Sequence, residues 1–319
     1  MLIFYLFLLI VFSFALIKAT EILVEGLKSL ADSIKIGKFA LTSFILALAT
    51  SLPELFVGLA AAFRGKPSLS LGNVLGSNIA NLSLVIGGAS LVAGSVQVFG
   101  EILYRDICYG FLVGTAPLIL LLDNRLGRRD GLILLALYVW YNLTILRGKR
   151  QEMWEKGWTR RLLHKFLPKK HGTEWAKLFL GIILLLLAAE GIVKTAESFA
   201  LGFGIPLFLV GLFLVAIGTS LPELAFEMKA IKKKQASMVF GDLLGSIVAN
   251  SSLVLGLVAL ISPIKIFYLQ EYLLATIFFI LIFGAFYFFV RTKHKLERWE
   301  GGLLFLFYLL FAAIEFSRR

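Results

Sequence analysis

Histidine and cysteine are almost absent from this sequence, and their scarcity limits the chemistry that the chain can support. Three histidines occur in 319 residues, and His164, His171 and His294 all lie outside the apolar stretches that could cross a membrane. A zinc site or a His-Glu-x-x-His metalloprotease motif needs paired nitrogen ligands, which those stretches do not supply. The single cysteine, Cys108, excludes an intrachain disulfide. The sequence therefore disfavours an intramembrane enzyme and predicts no bound cofactor.

Charged residues are also scarce. They make up 16% of the chain against 59% hydrophobic residues, a balance typical of a polytopic membrane protein rather than of a soluble domain. Each crossing of the hydrocarbon takes roughly 20 predominantly apolar residues. The predicted fold is an all-α membrane protein with ten transmembrane helices. The ten predicted spans lie at about 2–31, 38–63, 70–94, 103–122, 130–147, 174–200, 205–231, 237–262, 270–290 and 300–316.

The distribution of lysine and arginine predicts the orientation in the membrane. Basic residues concentrate in the segments that are cytoplasmic if the N-terminus is outside, above all between Arg147 and Lys170, and positive residues favour the cytoplasmic side. We therefore expect a multi-pass protein of the cell membrane with both termini outside. The net charge of +12 then reflects topology and attraction to an anionic lipid bilayer, and it requires no nucleic-acid partner.

Two segments of the sequence occur twice at one offset. Thr50-Ser-Leu-Pro-Glu-Leu55 returns 169 residues later as Thr219-Ser-Leu-Pro-Glu-Leu224. At the same offset Gly76-Ser-Asn-Ile-Ala-Asn81 returns as Gly245-Ser-Ile-Val-Ala-Asn250. Five spans per copy is an odd number, so the two copies must cross the membrane in opposite directions, as in many secondary transporters.

The repeat divides the chain into three parts. We predict a first five-helix repeat at 1–147, a basic cytoplasmic connector at 148–173 and a second five-helix repeat at 174–319. Aromatic residues at helical spacing in the connector are typical of an interfacial amphipathic helix, and a solvated linker is the alternative. The connector is too short for a regulatory domain.

Each copy places a carboxylate beside a proline within apolar sequence. Pro53 and Pro222 lack the N–H that would complete the helix, so a carbonyl one turn earlier loses its partner. The adjacent carboxylates are Glu54 and Glu223, and a charge at this depth marks a functional site. Hydroxyl and amide side chains at helical spacing share faces with them or with each other. These side chains belong to Thr50, Ser51, Ser77, Asn81, Thr219, Ser220, Ser246 and Asn250.

All of these candidate ligands offer oxygen. Hard cations such as Ca²⁺, Na⁺ and Mg²⁺ prefer oxygen, whereas zinc, copper and iron favour nitrogen or sulfur. Two glutamates would neutralise one divalent ion, and an empty site would leave two carboxylates facing each other in a medium of low dielectric constant. The pattern therefore predicts antiport, because reorientation is favourable only with Ca²⁺, several Na⁺ or protons bound. A channel is the alternative, but broken helices in inverted repeats favour alternating access.

At these residues the chain resembles the cation/Ca²⁺ antiporter superfamily, on its Na⁺/Ca²⁺ exchanger branch without a regulatory domain, and the resemblance extends over all ten spans. It implies two inverted five-helix repeats, with motifs at 47–81 and 216–250, and Ca²⁺ extrusion driven by Na⁺ entry. It further implies that Glu54 and Glu223 are shared by Ca²⁺ and Na⁺, and that the long first and sixth helices slide across the core. The other ligands that it implies are oxygens of Thr50, Ser51, Ser77, Thr219, Ser220 and Ser246 and the carbonyls of Ala47 and Ala216.

Both motifs end in asparagine, at Asn81 and Asn250. Na⁺/Ca²⁺ exchangers often carry an aspartate at the second of these positions, whereas asparagine at both also occurs among H⁺/Ca²⁺ exchangers. The resemblance as a whole implies Na⁺ as the coupling ion. Because of the two asparagines, an antiporter of H⁺ against Ca²⁺ or another divalent cation is the alternative. The sequence specifies no oligomeric state.

The second repeat carries two acids that the first lacks. Glu227 replaces Gly58, and Asp242 replaces Asn73. Each lies one helical turn from an expected ligand, and in the predicted orientation both fall on the cytoplasmic side of the site. We predict an acidic cytoplasmic vestibule that attracts Ca²⁺, and salt bridges to nearby lysines are the alternative.

Two further acids, Glu21 and Glu190, occupy equivalent positions in the first and sixth spans. Because those spans are the ones expected to slide, a role in sliding is one interpretation. A hydrogen-bonded structural role is the alternative, and we favour it.

Overall fold

The computed structural model describes residues 1–33, 50–97, 101–154, 172–232, 236–293 and 295–318. The first half contains the helices α1 (Leu2–Ser33), α2 (Leu52–Phe63), α3 (Pro67–Ala80), α4 (Ile86–Ala93), α5 (Glu101–Leu120) and α6 (Arg128–Trp154). The second half contains α7 (Gly172–Phe203), α8 (Leu207–Leu209), α9 (Ala216–Thr219), α10 (Leu221–Lys232), α11 (Ala236–Val248), α12 (Leu255–Ile261), α13 (Leu269–Lys293) and α14 (Arg298–Ser317). The short strands are β1 (Ser95–Gln97), β2 (Arg125–Leu126), β3 (Ile264–Lys265) and β4 (Lys295–Glu297), and a 3₁₀ turn covers Leu121–Asp123.

Within the described ranges, eight helical segments are long and apolar enough to cross a membrane. They are 2–26, 67–93, 106–123, 175–203, 207–228, 239–261, 269–292 and 298–317. The prediction of a mostly helical protein with many apolar spans is therefore confirmed. The predicted span at 38–63 begins outside the described residues, and its described part is the 12-residue helix α2. The predicted span at 130–147 is helical as part of α6 but is not one of the eight segments.

Among the described residues, three stretches of π-helix interrupt the apolar helices. They cover Asn81–Val85, Val210–Val215 and Ala249–Val254. Each one joins two α-helices into a single distorted helix: α3 to α4, α8 to α9 and α11 to α12. A π-turn shifts the following side chains around the helix axis, and such turns often occur at functional sites. Two of the three lie at equivalent positions in the two halves.

Two short antiparallel sheets connect the halves. β1 pairs with β4, placing Val96 opposite Leu296, and β2 pairs with β3, placing Leu126 opposite Ile264. In each sheet one strand follows the third apolar segment of its half, and the other strand precedes the last helix of the opposite half. The second sheet therefore repeats the first with the two halves exchanged.

The two longest helices, α1 and α7, contain 32 residues each. They pack along each other through a cluster of buried apolar side chains that includes Leu16, Ala19, Ala189 and Ile192. Large apolar side chains on their other faces are exposed, as expected where lipid covers the helix. The pair contacts the rest of the protein mainly through α2, α9 and the π-turn before α9.

Ion pairs also join α7 to the turn between α2 and α3. Arg64 Nη1 lies 2.6 Å from Glu190 Oε1, and Lys66 Nζ lies 2.8 Å from Glu197 Oε1. Glu21, the repeat counterpart of Glu190, instead pairs at 2.7 Å with a lysine of its own helix. Glu190 therefore accepts a hydrogen bond that links two elements, as the structural interpretation of this residue expects. All of these groups are partly exposed, so each pair contributes only about 0–1 kcal/mol.

The core brings α3 into backbone contact with α8 and with the π-turn that follows α8. A Cβ added at Gly72 would collide with the carbonyl oxygen of Phe208, and one added at Gly76 would collide with the carbonyl oxygen of Leu212. Glycine at these positions therefore permits the close approach that apolar helices use inside membranes. At Gly284, on the exposed face of α13, no described atom lies within 4 Å of an added Cβ. Close approach therefore distinguishes Gly72 and Gly76 from a glycine on the outer face of the protein.

This difference generates a stability prediction. We expect Gly72→Ala to lower the apparent melting temperature of the purified protein in detergent, because a backbone carbonyl cannot rotate away and overpacking costs about 1–3 kcal/mol. The matched control is Gly284→Ala, which should leave the melting temperature unchanged or slightly higher, since the residue is exposed and alanine favours helix over glycine. An equal loss in both variants would contradict the assignment of the contact to Gly72.

Candidate ion-binding site

Two helix breaks with the same backbone conformation carry the two glutamates. Ser51 has φ −83° and ψ 2°, and Ser220 has φ −84° and ψ 1°. Each serine is followed by a helix, α2 or α10, that has proline in its first turn. Glu54 and Glu223 lie in these first turns, where the positive end of the helix dipole faces the carboxylate. The repeated sequence therefore produces the same local fold twice.

Hydroxyl pairs join the two helix breaks across the interface between the halves. Thr50 Oγ1 lies 3.2 Å from Ser246 Oγ, and Thr219 Oγ1 lies 3.2 Å from Ser77 Oγ. All four side chains are buried. Each pair takes its threonine from one half and its serine from the other, so the second pair is the first with the halves exchanged.

The same threonines contact the side chains one turn before those serines. Thr50 Oγ1 donates a hydrogen bond of 2.8 Å to Asp242 Oδ1, and Thr219 Oγ1 donates one of 3.1 Å to Asn73 Oδ1. The geometry is equivalent in the two halves, but the acceptor is a carboxylate in one and an amide in the other. Asp242 is therefore part of the same hydrogen-bonded group as the predicted ligands.

The two glutamates are completely buried, with 0% exposed surface each. Ser77 Oγ donates a hydrogen bond of 3.2 Å to Glu54 Oε1. Among the described residues no hydrogen-bond donor contacts Glu54 Oε2 or either carboxylate oxygen of Glu223. The carboxylates repel each other electrostatically, and buried polar atoms without partners require an explanation. A bound cation would supply both the missing partner and the opposite charge.

The asparagines that close the two motifs are buried beside this group. Asn250 Nδ2 donates a 3.3 Å hydrogen bond to Asn78 Oδ1, and Asn78 Nδ2 donates one of 2.8 Å to Ser251 Oγ. Within the described part of the chain, the Oδ1 atoms of Asn81 and Asn250 have no hydrogen-bond partner. Sequence reasoning missed Asn78 and Ser251. The signal available was the mismatch between Asn78 and Ile247 at the repeat offset.

The remaining predicted ligands are placed as follows. The carbonyl of Ala216 follows a π-turn and accepts hydrogen bonds from Ser220 N at 3.0 Å and from Thr219 Oγ1 at 3.3 Å. Ser51 is buried, and Ser220 Oγ is buried without a partner among the described residues. Ala47 lies outside the described residues.

The two extra acids of the second repeat are buried. Glu227 is 1% exposed and Asp242 is 2% exposed. Glu227 interacts electrostatically with Asp242, and Glu223 interacts with both. The four acids thus form one buried negative cluster. The lysines that are the alternative partners of the two extra acids, Lys229 and Lys232, have side chains outside the described part of the structure. Both extra acids lie inside the protein in this conformation, not at an open vestibule.

This arrangement is suited to binding hard cations. The described side chains in the cluster offer carboxylate, hydroxyl and amide oxygens, and no three Asp, Glu, His or Cys side chains of the described ranges converge on one point. A cation bound here would be coordinated by carboxylates together with hydroxyl, amide and carbonyl oxygens, as in Ca²⁺ and Na⁺ sites of other proteins.

Comparison with known proteins places this geometry in a family. The sequence matches the sodium/calcium exchanger protein family over residues 4–147 and 173–316. It is 37% identical over 223 residues to inner membrane protein YrbG of Escherichia coli, covering 69% of this chain and 68% of that protein. It is 26% identical to sodium/calcium exchanger MaX1 of Methanosarcina acetivorans, covering 94% of this chain and 95% of that protein.

Solved structures agree with the sequence comparison. A structure of the sodium-calcium exchanger NCX_Mj soaked with Na⁺ and Sr²⁺ superimposes with a TM-score of 0.63 at 25% identity, covering 98% of this chain and 99% of that one. A second, at a lower Sr²⁺ concentration, gives a TM-score of 0.64 with the same coverage. With its several apolar spans, the chain is a multi-pass membrane protein that belongs to the sodium/calcium exchanger family, a family of ion exchangers and not of enzymes.

Proposed function

We propose that the protein exchanges Ca²⁺ for Na⁺ by alternating access at the site between the two helix breaks. The observation that carries this proposal is the pair of buried glutamates, Glu54 and Glu223, with three carboxylate oxygens that no described donor contacts. Two carboxylates balance the charge of one Ca²⁺. Several Na⁺ ions can replace it at the same oxygens. An unloaded site would leave like charges buried together, so the loaded forms are the ones that cross.

The ligand set that we propose combines both halves. It consists of the two glutamate carboxylates together with side-chain or carbonyl oxygens of Thr50, Ser51, Ser77, Asn81, Thr219, Ser220, Ser246 and Asn250 and the carbonyls of Ala47 and Ala216. Support comes from the exchanged hydroxyl pairs, which bring one threonine and one serine of each half into the same buried group. Asn78 is added as a positioning residue, because its amide holds the Asn250 side chain.

The proposed topology is ten transmembrane helices in two inverted five-helix repeats, with both termini outside. It is supported by the two sheets that repeat each other with the halves exchanged and by a family match that falls into two segments. The long helices α1 and α7 are proposed to slide along the core. Their contact with the core is largely apolar, and the ion pairs from Arg64 and Lys66 to α7 are partly exposed. Both kinds of contact tolerate sliding better than buried hydrogen bonds do.

Na⁺ is the coupling ion that we propose. The names of MaX1 and NCX_Mj support Na⁺, whereas the neutral amide at Asn250 is compatible with H⁺ coupling as the second candidate. We propose that Glu227 and Asp242 line an acidic vestibule only in a conformation that is open to the cytoplasm, since both acids are buried in the conformation described above.

A transport assay tests the proposed exchange. Purified protein in liposomes should take up ⁴⁵Ca²⁺ when an outward Na⁺ gradient is imposed, and should take up little when only a pH gradient is imposed. Glu54→Gln and Glu223→Gln should each raise the half-saturating Ca²⁺ concentration about tenfold to hundredfold, because each removes a charged partner worth about 1.5–3 kcal/mol.

The matched control is Glu21→Gln, the same chemical change at an exposed side chain that pairs within its own helix; it should transport like the wild type. Uptake driven by pH and indifferent to Na⁺ would contradict Na⁺ coupling. Rapid Ca²⁺ uptake without any counter-ion would contradict exchange itself.

A second prediction concerns Asn78. Asn78→Leu has a similar shape but leaves the Asn250 amide and the Ser251 hydroxyl without this partner, at a cost of about 1–3 kcal/mol. We expect the half-saturating Ca²⁺ concentration to rise while the maximal rate changes less, since the amide positions a ligand. Asn142→Leu is the control, because the Asn142 amide donates a hydrogen bond to the Tyr138 carbonyl of its own helix, away from the proposed site. An unchanged half-saturating concentration in Asn78→Leu would remove Asn78 from the site.

A further inference from the structure

The last third of α7 carries a stripe of charged side chains beside its apolar face. Glu190, Lys194 and Glu197 follow one another at spacings of four and three residues, so they share one face of the helix. All three are partly exposed. One to two turns earlier the same face carries the exposed apolar side chains Ile183, Leu186 and Leu187. This face of α7 therefore changes from apolar to charged at Glu190.

Two cations of the turn between α2 and α3 contact this stripe. Arg64 Nη1 lies 2.6 Å from Glu190 Oε1, and Arg64 Nη2 lies 3.7 Å from Glu197 Oε2. Lys66 Nζ lies 2.8 Å from Glu197 Oε1, and Lys194 Nζ lies 3.3 Å from Glu190 Oε1. The guanidinium thus bridges both acids of α7, and each acid contacts two cations. These five side chains are called the α7 latch below.

The α7 latch lies beside a gap in the packing. A cavity of about 600 Å³ is lined by Lys66 and Glu197 of the latch, by the end of α7 and by the connection from β3 to α13. Two apolar side chains that line it, Leu201 of α7 and Phe267 of that connection, are each 77% exposed. Apolar side chains therefore do not fill the space between these two elements. The ion pairs bridge α7 to the core at a place where α7 has room to move.

By sequence, the two halves do not share the α7 latch. Glu197, the acid that contacts both Arg64 and Lys66, has Lys28 as its counterpart at the repeat offset. The two basic residues of the turn have the counterparts Lys233 and Gln235. A lysine attracts neither of these side chains, so the two contacts of Glu197 have no equivalent in the other half. The counterpart of the other acid pairs within its own helix.

Weak contacts are sufficient to act on a conformational equilibrium of this kind. A protein that works by alternating access must visit both conformations, so the free energies of the two have to be similar. Each partly exposed ion pair of the latch contributes little, but it contributes only while α7 and the turn between α2 and α3 are in contact. Salt also screens such a pair more than a buried one. The latch therefore changes the balance between the conformations without fixing either.

We propose that the α7 latch is a one-sided conformational device, which favours the state in which α7 is docked on the turn between α2 and α3. This proposal rests on the exchange function proposed above, because it acts on the sliding of α1 and α7. Opening the protein at this end separates Glu190 and Glu197 from the two cations of the turn. Opening at the opposite end breaks no equivalent of the Glu197 contacts. The latch thus makes the two openings unequal in free energy.

Double electron–electron resonance on the full-length protein in liposomes tests the α7 latch. Spin labels are attached at Leu201→Cys and Phe267→Cys, on two elements that line the cavity, in a Cys108→Ser background. Glu197→Lys should raise the ratio of long to short label distances about threefold to tenfold, because attraction to the turn becomes repulsion. Adding Lys66→Glu to Glu197→Lys should lower the ratio again, since the closest contact of position 197 is re-formed with the charges exchanged.

Glu25→Lys is the matched control, because Glu25 pairs at 3.2 Å with Lys177 and so joins α1 to α7 rather than α7 to the core. It should leave the distance ratio unchanged. Glu197→Gln is the milder second variant and should shift the ratio in the same direction by less. Higher ionic strength, set with choline chloride, should shift the labelled protein that keeps Glu197 more than it shifts Glu197→Gln.

Two results would overturn the α7 latch. One is a distance ratio that stays the same in both Glu197 variants, and the other is an equal shift in Glu197→Lys and in Glu25→Lys. The measurement requires no transport, so it is independent of the exchange assay. Absence of Na⁺-driven ⁴⁵Ca²⁺ uptake by the wild type would instead contradict the proposed exchange function.

Discussion

Electrostatic repulsion between buried carboxylates is the constraint on which the rest of this structure depends. Glu54 and Glu223 are fully buried, face each other's charge, and have no basic side chain near them among the described residues. Burial of an isolated charge is far too costly for a folded protein to leave uncompensated. The surrounding features each reduce that cost: helix breaks that present positive helix ends, hydroxyl groups from both halves, and amide oxygens that remain available to a cation. A bound cation would complete the charge balance of this core.

Because the compensating groups come from both halves, the site exists only while the halves are docked together. Thr50 contacts the second half and Thr219 contacts the first, and the two sheets cross between the halves in the same exchanged manner. The helices α1 and α7 lie outside this cross-linked unit. They are held by apolar packing and by a few partly exposed ion pairs. A rigid core with a more weakly attached helix pair is what alternating access requires, since the ligands can keep their geometry while the access route changes.

The sequence predicts which polar side chains meet in the core better than it predicts the backbone around them. Sequence reasoning could identify Glu54, Thr50, Ser77 and their repeat counterparts because a charge and a proline within apolar sequence are energetically costly. When such costly features occur twice at the same sequence spacing, they indicate a functional role. The π-turns could not be predicted, since apolar periodicity does not distinguish an α-turn from a π-turn. Asn78 was missed for a related reason. It breaks the repeat, and the search for ligands relied on what the two halves share.

The positions that differ between the two halves therefore indicate properties that the halves do not share. The proposed cation ligands are identical in the two repeats, whereas Asp242 and Glu227 have the neutral counterparts Asn73 and Gly58. In the inverted repeat that we propose, equivalent positions lie on opposite sides of the midplane. Acids added to one repeat alone therefore place negative charge on one side of the site only. A symmetric core can exchange ions in either direction, and the charge at Asp242 and Glu227 is what makes its two sides chemically different.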